Sequence, residues 1–196
     1  MANHEQTLVQ LKNGICGPKI FINTIIDDFQ TVIDGSDVFE SYDENGFSTC
    51  VPEVALRVLV VKLRDGNTYF RMVDETETMY HLAKPEFSMS KIYPDTFVGY
   101  AFTYFDKEQQ VLSFYDYLSD ASSKQIAREG VLARVSKLHG ILTGLCLPDD
   151  AVFRFHWCGQ EQKCMEVYEK EELPWACKGV FRMHDKNVGR LTRVKL

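Results

Sequence analysis

The stretch LTGLCLPDDAVFRFHWCG, residues 142–159, decides the fold that the sequence predicts. Its first residues complete an apolar helical pattern, and Pro148 ends that helix because proline has no backbone N–H to donate. Beyond the turn the side chains alternate as they do in a strand, with Val152, Arg154 and His156 on one face and Phe153, Phe155 and Trp157 on the other. The pattern predicts a helix, a proline stop, a strand and then a C-terminal tail, residues 159–196.

Two long helices are predicted from apolar residues that recur every three or four positions. The first spans residues 17–35, where Pro18 suits the first turn and Gly35 a C-terminal cap. The second spans residues 123–145 and follows Ser122, which has the spacing of a capping box with Gln125. We therefore expect both helices to pack on one sheet and to share a core of six residues: Phe21, Ile25, Phe29, Val135, Leu138 and Leu142.

The middle of the chain predicts antiparallel hairpins. Residues 97–105 and 111–118 alternate in polarity on either side of the connection DKEQQ. A β-branched run turns at Asp-Gly-Asn, residues 65–67, into a second strand, although a helix over residues 52–64 fits the same apolar run. Residues 36–50 indicate a loop that holds at most a short strand. Without regular βαβ alternation, the fold class is α+β: one domain with a mostly antiparallel sheet packed on two or three long helices.

Length and composition limit which classes of protein the sequence can belong to. The 196 residues, 45% of them hydrophobic, suit one domain, and residues 1–7 are polar enough to form a loose N-terminus. A net charge of -6 provides no basic field for nucleic acid. We expect neither a secretory leader nor a membrane span, and hence reduced cysteines in the nucleus or the cytoplasm.

The cysteines and histidines are the candidate metal ligands and catalytic residues of the chain. The candidate metal ligands are Cys158, Cys164, Cys177 and His184, with His156 as a further candidate. The first four are separated by five, twelve and six residues, whereas zinc ligands usually pair two to four residues apart. No local signature of a nucleophile surrounds any cysteine. The basic run over residues 182–195 lacks interleaved aromatic residues, which favours a solvated strand face over direct contact with nucleic acid. We expect no metal, no cofactor and no catalytic residue.

The layout resembles the HORMA family, the peptide-clasping adaptors of the spindle checkpoint, translesion repair and the meiotic chromosome axis. Residues 8–39 are similar to the family's entry strand and first helix, and residues 100–118 to its middle hairpin. Residues 122–157 are similar to its last long helix, the Leu-Pro that ends it and the strand that follows. Residues 172–196 resemble its mobile C-terminal segment.

This resemblance implies a HORMA-like domain over residues 8–196 and a non-enzymatic adaptor in chromosome-axis or checkpoint signalling. A partner peptide would add to a sheet edge as a strand, and a mobile C-terminal hairpin segment, residues 159–196, would close over it as a belt. The implied partners are the peptide motif of another protein, a remodelling ATPase of the AAA+ class, and a second copy of the chain. The expected peptide-binding and belt residues are Phe153, Phe155, Trp157, Leu173, Trp175, Val180 and Phe181.

A second interpretation stays open at this stage. The same elements are compatible with an unrelated α+β interaction module of viral or effector type. They are also compatible with an uncharacterised enzyme that uses a cysteine or a histidine in its site.

Overall fold

The computed structural model describes residues 16–21, 47–63, 67–73, 78–82, 96–106, 109–120, 129–144, 153–173, 175–185 and 187–194. These residues are mostly strand and form two sheets and two short helices. The strands are β1 Cys16–Phe21, β2 Phe47–Pro52, β3 Leu56–Lys62, β4 Thr68–Met72, β5 Thr78–Leu82, β6 Phe97–Asp106, β7 Gln109–Asp120, β8 Phe153–Phe155, β9 Cys158–Gln160, β10 Cys177–Met183 and β11 Leu191–Arg193. The helices are α1 Val131–Gly144 and α2 Glu161–Glu169.

The large sheet has seven strands in the order β1-β5-β4-β3-β6-β7-β8. All its neighbours are antiparallel except β7 and β8, which run parallel with Leu112 opposite Phe153. β-Branched and aromatic residues fill β3, β6 and β7, as a pleated and largely buried surface favours. The predicted hairpins are confirmed, because β3 pairs with β4 and β6 pairs with β7. The helix considered over residues 52–64 does not form.

Helix α1 packs on β7 and β8 and closes the main core. Leu138 and Leu142 are buried on its inner face, whereas Leu132 on its outer face is 62% exposed. Leu138 and Leu142 join a cluster of side chains from the large sheet that includes Phe97, Phe114, Tyr117 and Phe153. No helix among the described residues is long and apolar enough to cross a membrane.

The small sheet has four antiparallel strands in the order β11-β10-β2-β9. Strand β2 lies between two strands of the C-terminal segment, and α2 packs against β2, β9 and β10. One face of the sheet buries Cys50 and Val180 against Cys164 of α2. The opposite face buries Val51 and Met183 against the large sheet. The small sheet therefore joins two regions that are distant in sequence.

A buried ion pair holds the end of the chain to the large sheet. Arg134 of α1 bonds to both carboxylate oxygens of Asp116 on β7, at 2.9 and 3.3 Å, and the two side chains are 0% and 1% exposed. Its remaining N–H groups donate to the carbonyl oxygens of Glu129, His184 and Asp185, at 2.6 to 2.8 Å. Burial raises the pKa of Asp116, and the Arg134 guanidinium opposes that rise. The guanidinium is thus fully hydrogen-bonded inside the protein.

Gly189 completes this anchor. Its N–H donates to Asp116 Oδ2 at 2.8 Å, and its carbonyl accepts from the Tyr115 hydroxyl at 2.7 Å. Its φ is +80°, and a Cβ atom there would lie 2.5 Å from the ring of Tyr100. Only glycine meets both requirements.

The predicted fold class is wrong in its helices: the described residues are mostly sheet, with two short helices rather than two or three long ones. Residues 17–21 of the first predicted helix lie in β1, which is an edge strand among the described residues, and Pro18 is tolerated there because one side of the strand needs no N–H donor. The register shifts between Cys16 and Lys19, on either side of that proline. Residues 1–7 and 22–35 lie outside the described residues.

The second predicted helix begins later than expected. It starts at Val131, whose N–H is capped by Asp185 Oδ1 at 2.8 Å, while Glu129 and Gly130 are not helical. Residues 123–128 lie outside the described residues. Of the predicted shared core, Phe21 lies in β1 at the sheet edge opposite β8, whereas α1 packs on β7 and β8. Ile25 and Phe29 lie outside the described residues.

Candidate functional site

The seven predicted peptide-binding residues do not form one surface. Phe153 is buried in the main core, Phe155 packs edge-on against the His139 ring, and Trp157 is 38% exposed. The other four belong to the small sheet and the segment before it. Leu173, Trp175 and Val180 share the cluster under α2, whereas Phe181 faces the large sheet.

A pocket of about 210 Å³ lies where Phe181 faces the large sheet. Its apolar wall includes Phe181 and Leu191 of the small sheet and Met72 of β4, and its polar wall includes Arg57 and Lys178. We call this cavity, lined by Val51, Ala55, Leu56, Arg57, Met72, Val73, Lys178, Phe181 and Leu191, the Phe181 pocket.

Positive charge surrounds the aromatic ring at this pocket. The Lys178 ammonium nitrogen lies 5.8 Å from the centre of the Phe181 ring, and the Arg193 guanidinium carbon lies 5.5 Å from it. Both distances are within the range of cation–π attraction. Arg57 adds a third cation in the wall of the pocket. The pocket can therefore receive an apolar group next to an anionic one.

Strand β11 lies beside the Phe181 pocket at the edge of the small sheet. It pairs with β10 on one side, and within the described residues no strand pairs with its other side. The Val194 N–H donates to Val180 O at 2.9 Å, so the backbone groups of Val194 face β10. Because the N–H and C=O groups of successive residues in a strand point to opposite sides, those of Leu191 and Arg193 face away from β10. These outward groups can bond to an added strand.

A second concavity lies on the other face of the small sheet. It is a groove of about 610 Å³ between α2 and the segment that leads into β10. Its apolar wall is supplied mostly by Val167, Tyr168, Leu173, Trp175 and Cys177. Glu169 and Glu171 also line it. We call this the Trp175 groove.

Trp175 covers a buried polar network. Its ring stacks on His156 with centroids 5.7 Å apart. His156 Nε2–H donates to Cys50 O at 2.8 Å, which leaves Nδ1 to accept from the Ser113 hydroxyl at 3.0 Å. Burial lowers the pKa of His156 to about 4, so the ring is neutral at pH 7. Ser113 is only 2% exposed, so this Ser–His contact cannot reach a substrate and instead satisfies buried polar groups.

Cys50 and Cys158 lie in surroundings that favour the neutral thiol. The Cys50 thiol makes hydrogen-bond contacts with Cys164 and Cys177, and its pKa is raised to about 12 by the Cys164 contact first. Burial raises the pKa of Cys158 to about 12 as well. Thiols of such high pKa are poor nucleophiles at neutral pH. Among the described residues, no cluster of three or more His, Cys, Asp or Glu side chains is arranged to hold a metal ion.

Sequence reasoning missed most of the Phe181 pocket. It identified Phe181, but Arg57 and Lys178 come from different strands, and only the tertiary fold brings them together. It allowed at most a short strand within residues 36–50 and did not predict that Ser48 and Thr49 of β2 are both 0% exposed although they are polar. No family model matches the chain, and no curated protein is significantly similar to it.

Proposed function

We propose that the protein is a non-enzymatic adaptor that binds an extended partner peptide by strand addition to β11. The observation that carries this proposal is an edge strand directly beside an apolar, cationic pocket. Main-chain bonds to Leu191 and Arg193 would supply affinity that does not depend on sequence. The pocket would supply the specificity, because alternate side chains of an added strand point to the same face of the sheet.

The chemistry of the pocket defines the partner. An apolar side chain would bury itself against Phe181 and Leu191. A carboxylate two residues along the peptide, or the C-terminal carboxylate itself, would pair with Lys178 or Arg57 at the rim. We therefore expect an extended motif in which apolar and acidic residues share one face.

Selection from a displayed library of random 12-residue peptides tests the proposal. We expect enriched sequences to carry this motif, and Phe181→Ala to weaken their binding at least tenfold. Lys178→Glu should weaken acidic peptides selectively. Trp157→Ala is the matched control, since Trp157 is an exposed aromatic outside the pocket.

Backbone methylation separates strand addition from docking by side chains alone. Methyl groups on alternate peptide nitrogens should abolish binding in one phase of the alternation and leave it intact in the other, because only every second N–H of an added strand faces β11. Equal tolerance in both phases, or no enrichment of any peptide, would contradict strand addition.

The belt closure that the HORMA resemblance implies for residues 159–196 is a separate proposal with its own test. If residues 159–196 act as a belt, they can open while the large sheet stays folded. The amides of β10 should then exchange with solvent while those of β6 remain protected. A fixed segment predicts that β10 and β6 exchange together, because Arg134 ties His184 and Asp185 to the large sheet. Hydrogen exchange with and without a selected peptide distinguishes the two arrangements.

A further inference from the structure

Three thiols lie close together between α2 and the small sheet, and they differ in solvent exposure. Cys50 of β2 is 1% exposed and Cys164 of α2 is 0% exposed, whereas Cys177 at the start of β10 is only partly buried. Cys177 lines the Trp175 groove, and Cys50 lies behind it in the same cluster. A small reagent in the groove would thus reach Cys177 first.

The strand register sets Cys50 and Cys177 on the same face of the small sheet. Cys177 lies opposite Pro52 and Val180 lies opposite Cys50, so the two cysteines are diagonal neighbours on paired strands. Lys178 is an extra residue in β10, since Gly179 already lies opposite Val51. A bulge of this kind bends the strand locally, and the two thiols are in hydrogen-bond contact across it.

The third thiol, Cys164, also contacts Cys50, but its own Sγ–H is engaged by the backbone. The Cys164 Sγ–H donates to Ser48 O at 3.1 Å and lies 3.7 Å from Gly159 O. Cys164 has no direct route to the groove, because it does not line it. Cys177 is therefore the entry thiol and Cys50 the second partner.

We infer that Cys50 and Cys177 form an intramolecular disulfide by exchange with a small external disulfide such as glutathione disulfide. In the first step the Cys177 sulfur, after loss of its proton, attacks one sulfur of the reagent and releases one glutathione thiol. In the second step the deprotonated Cys50 sulfur attacks the Cys177 sulfur and releases the second glutathione thiol. Two protein S–H bonds are replaced by one S–S bond, and one glutathione disulfide is reduced to two thiols.

The environment of the pair keeps both thiols protonated. The pKa of Cys177 is raised by its contact with Cys50 and then by burial, and the pKa of Cys50 is raised as well. The attacking thiolate is therefore scarce at neutral pH, so the exchange is slow there and becomes faster as the pH rises. The bond would connect β2 covalently to β10 and so prevent the two strands from separating.

A glutathione redox titration of the full chain at pH 8 tests this inference. Samples are quenched by alkylation, digested and mapped by mass spectrometry. We expect a peptide containing Cys50 linked to one containing Cys177, with both cysteines alkylated in reduced buffer. Cys164→Ala should retain the link, and Cys177→Ala should leave Cys50 alkylatable.

Two results would overturn the pairing. One is alkylation of both cysteines even in fully oxidised buffer, and the other is a link from Cys50 to Cys164 in the wild-type chain. The wild-type map decides the matter even where a variant fails to fold, and it does not depend on peptide binding. A negative result here therefore leaves the adaptor proposal standing.

Discussion

Replacement of Arg134 by Met is the perturbation with the clearest expected outcome. Methionine fills a similar length in the core but removes every bond of the guanidinium. Asp116 would then lie 1% exposed without its cation. The carbonyl groups of Glu129, His184 and Asp185 would lose their donor at the same time.

The structure sets the size of the effect. Breaking a buried ion pair by removing one partner destabilises proteins by about 3 to 5 kcal/mol. Buried polar groups that lose a partner add roughly 1 kcal/mol or more each, partly relieved by water. We expect Arg134→Met to lower the free energy of unfolding by about 4 to 6 kcal/mol, a large share of the roughly 5 to 15 kcal/mol typical of a domain.

Urea melts followed by circular dichroism and by tryptophan fluorescence measure this loss. Lys137→Met is the matched control on the same helix, because Lys137 pairs with Glu129 near the surface, with the side chains 46% and 35% exposed. It should change stability by less than about 1 kcal/mol. The double variant Arg134→Met with Asp116→Asn should recover part of the loss, since no buried charge remains. A loss below about 1.5 kcal/mol for Arg134→Met would refute this account of the ion pair.

Three further predictions concern the packing of α1, the protonation of His156 and the effect of a chelator. Leu138→Ala should destabilise the protein by about 2 to 5 kcal/mol in urea melts, and Leu132→Ala by less than about 1, because only Leu138 is buried; equal losses would contradict the packing of α1. The pKa of His156 is about 4 in the folded state, below its ordinary value of 6.5. The buried neutral ring therefore contributes its full stabilisation only above pH 6.5. Roughly 3 kcal/mol should be lost as pH falls from 6.5 to 4, a loss that His156→Gln should not show. Prolonged treatment with a strong chelator should leave the melting temperature unchanged, whereas unfolding by chelator would reveal a structural metal.

The parts of the fold that were predictable have local causes. Strands β6 and β7 alternate in polarity around a short polar connection, and β3 turns into β4 at an Asp-Gly-Asn sequence. Pairing between such neighbours is set by the turn and by the pattern on either side of it. These hairpins were therefore predicted with nearly correct bounds.

The remaining elements depend on partners far away in the sequence. Residues 18–21 have helix-like spacing but pair with β5, and the start of α1 is fixed by Asp185. Thr49 is polar and buried because its hydroxyl donates to Trp157 O at 2.7 Å. These contacts join residues far apart in the sequence, so no local pattern predicts them. For the same reason the sequence does not predict the cations around Phe181.

The position of β2 has a consequence for synthesis of the chain on the ribosome. Thr49 of β2 and Trp157, the residue just before β9, are 108 positions apart in the sequence. At roughly 5 to 20 residues per second, the ribosome needs about 5 to 20 s to make the residues between them. During that interval both edges of β2 lack the strands that border them in the folded protein. We expect nascent chains that end before Cys158 to recruit chaperones at β2, and chains extended beyond Arg193 to release them.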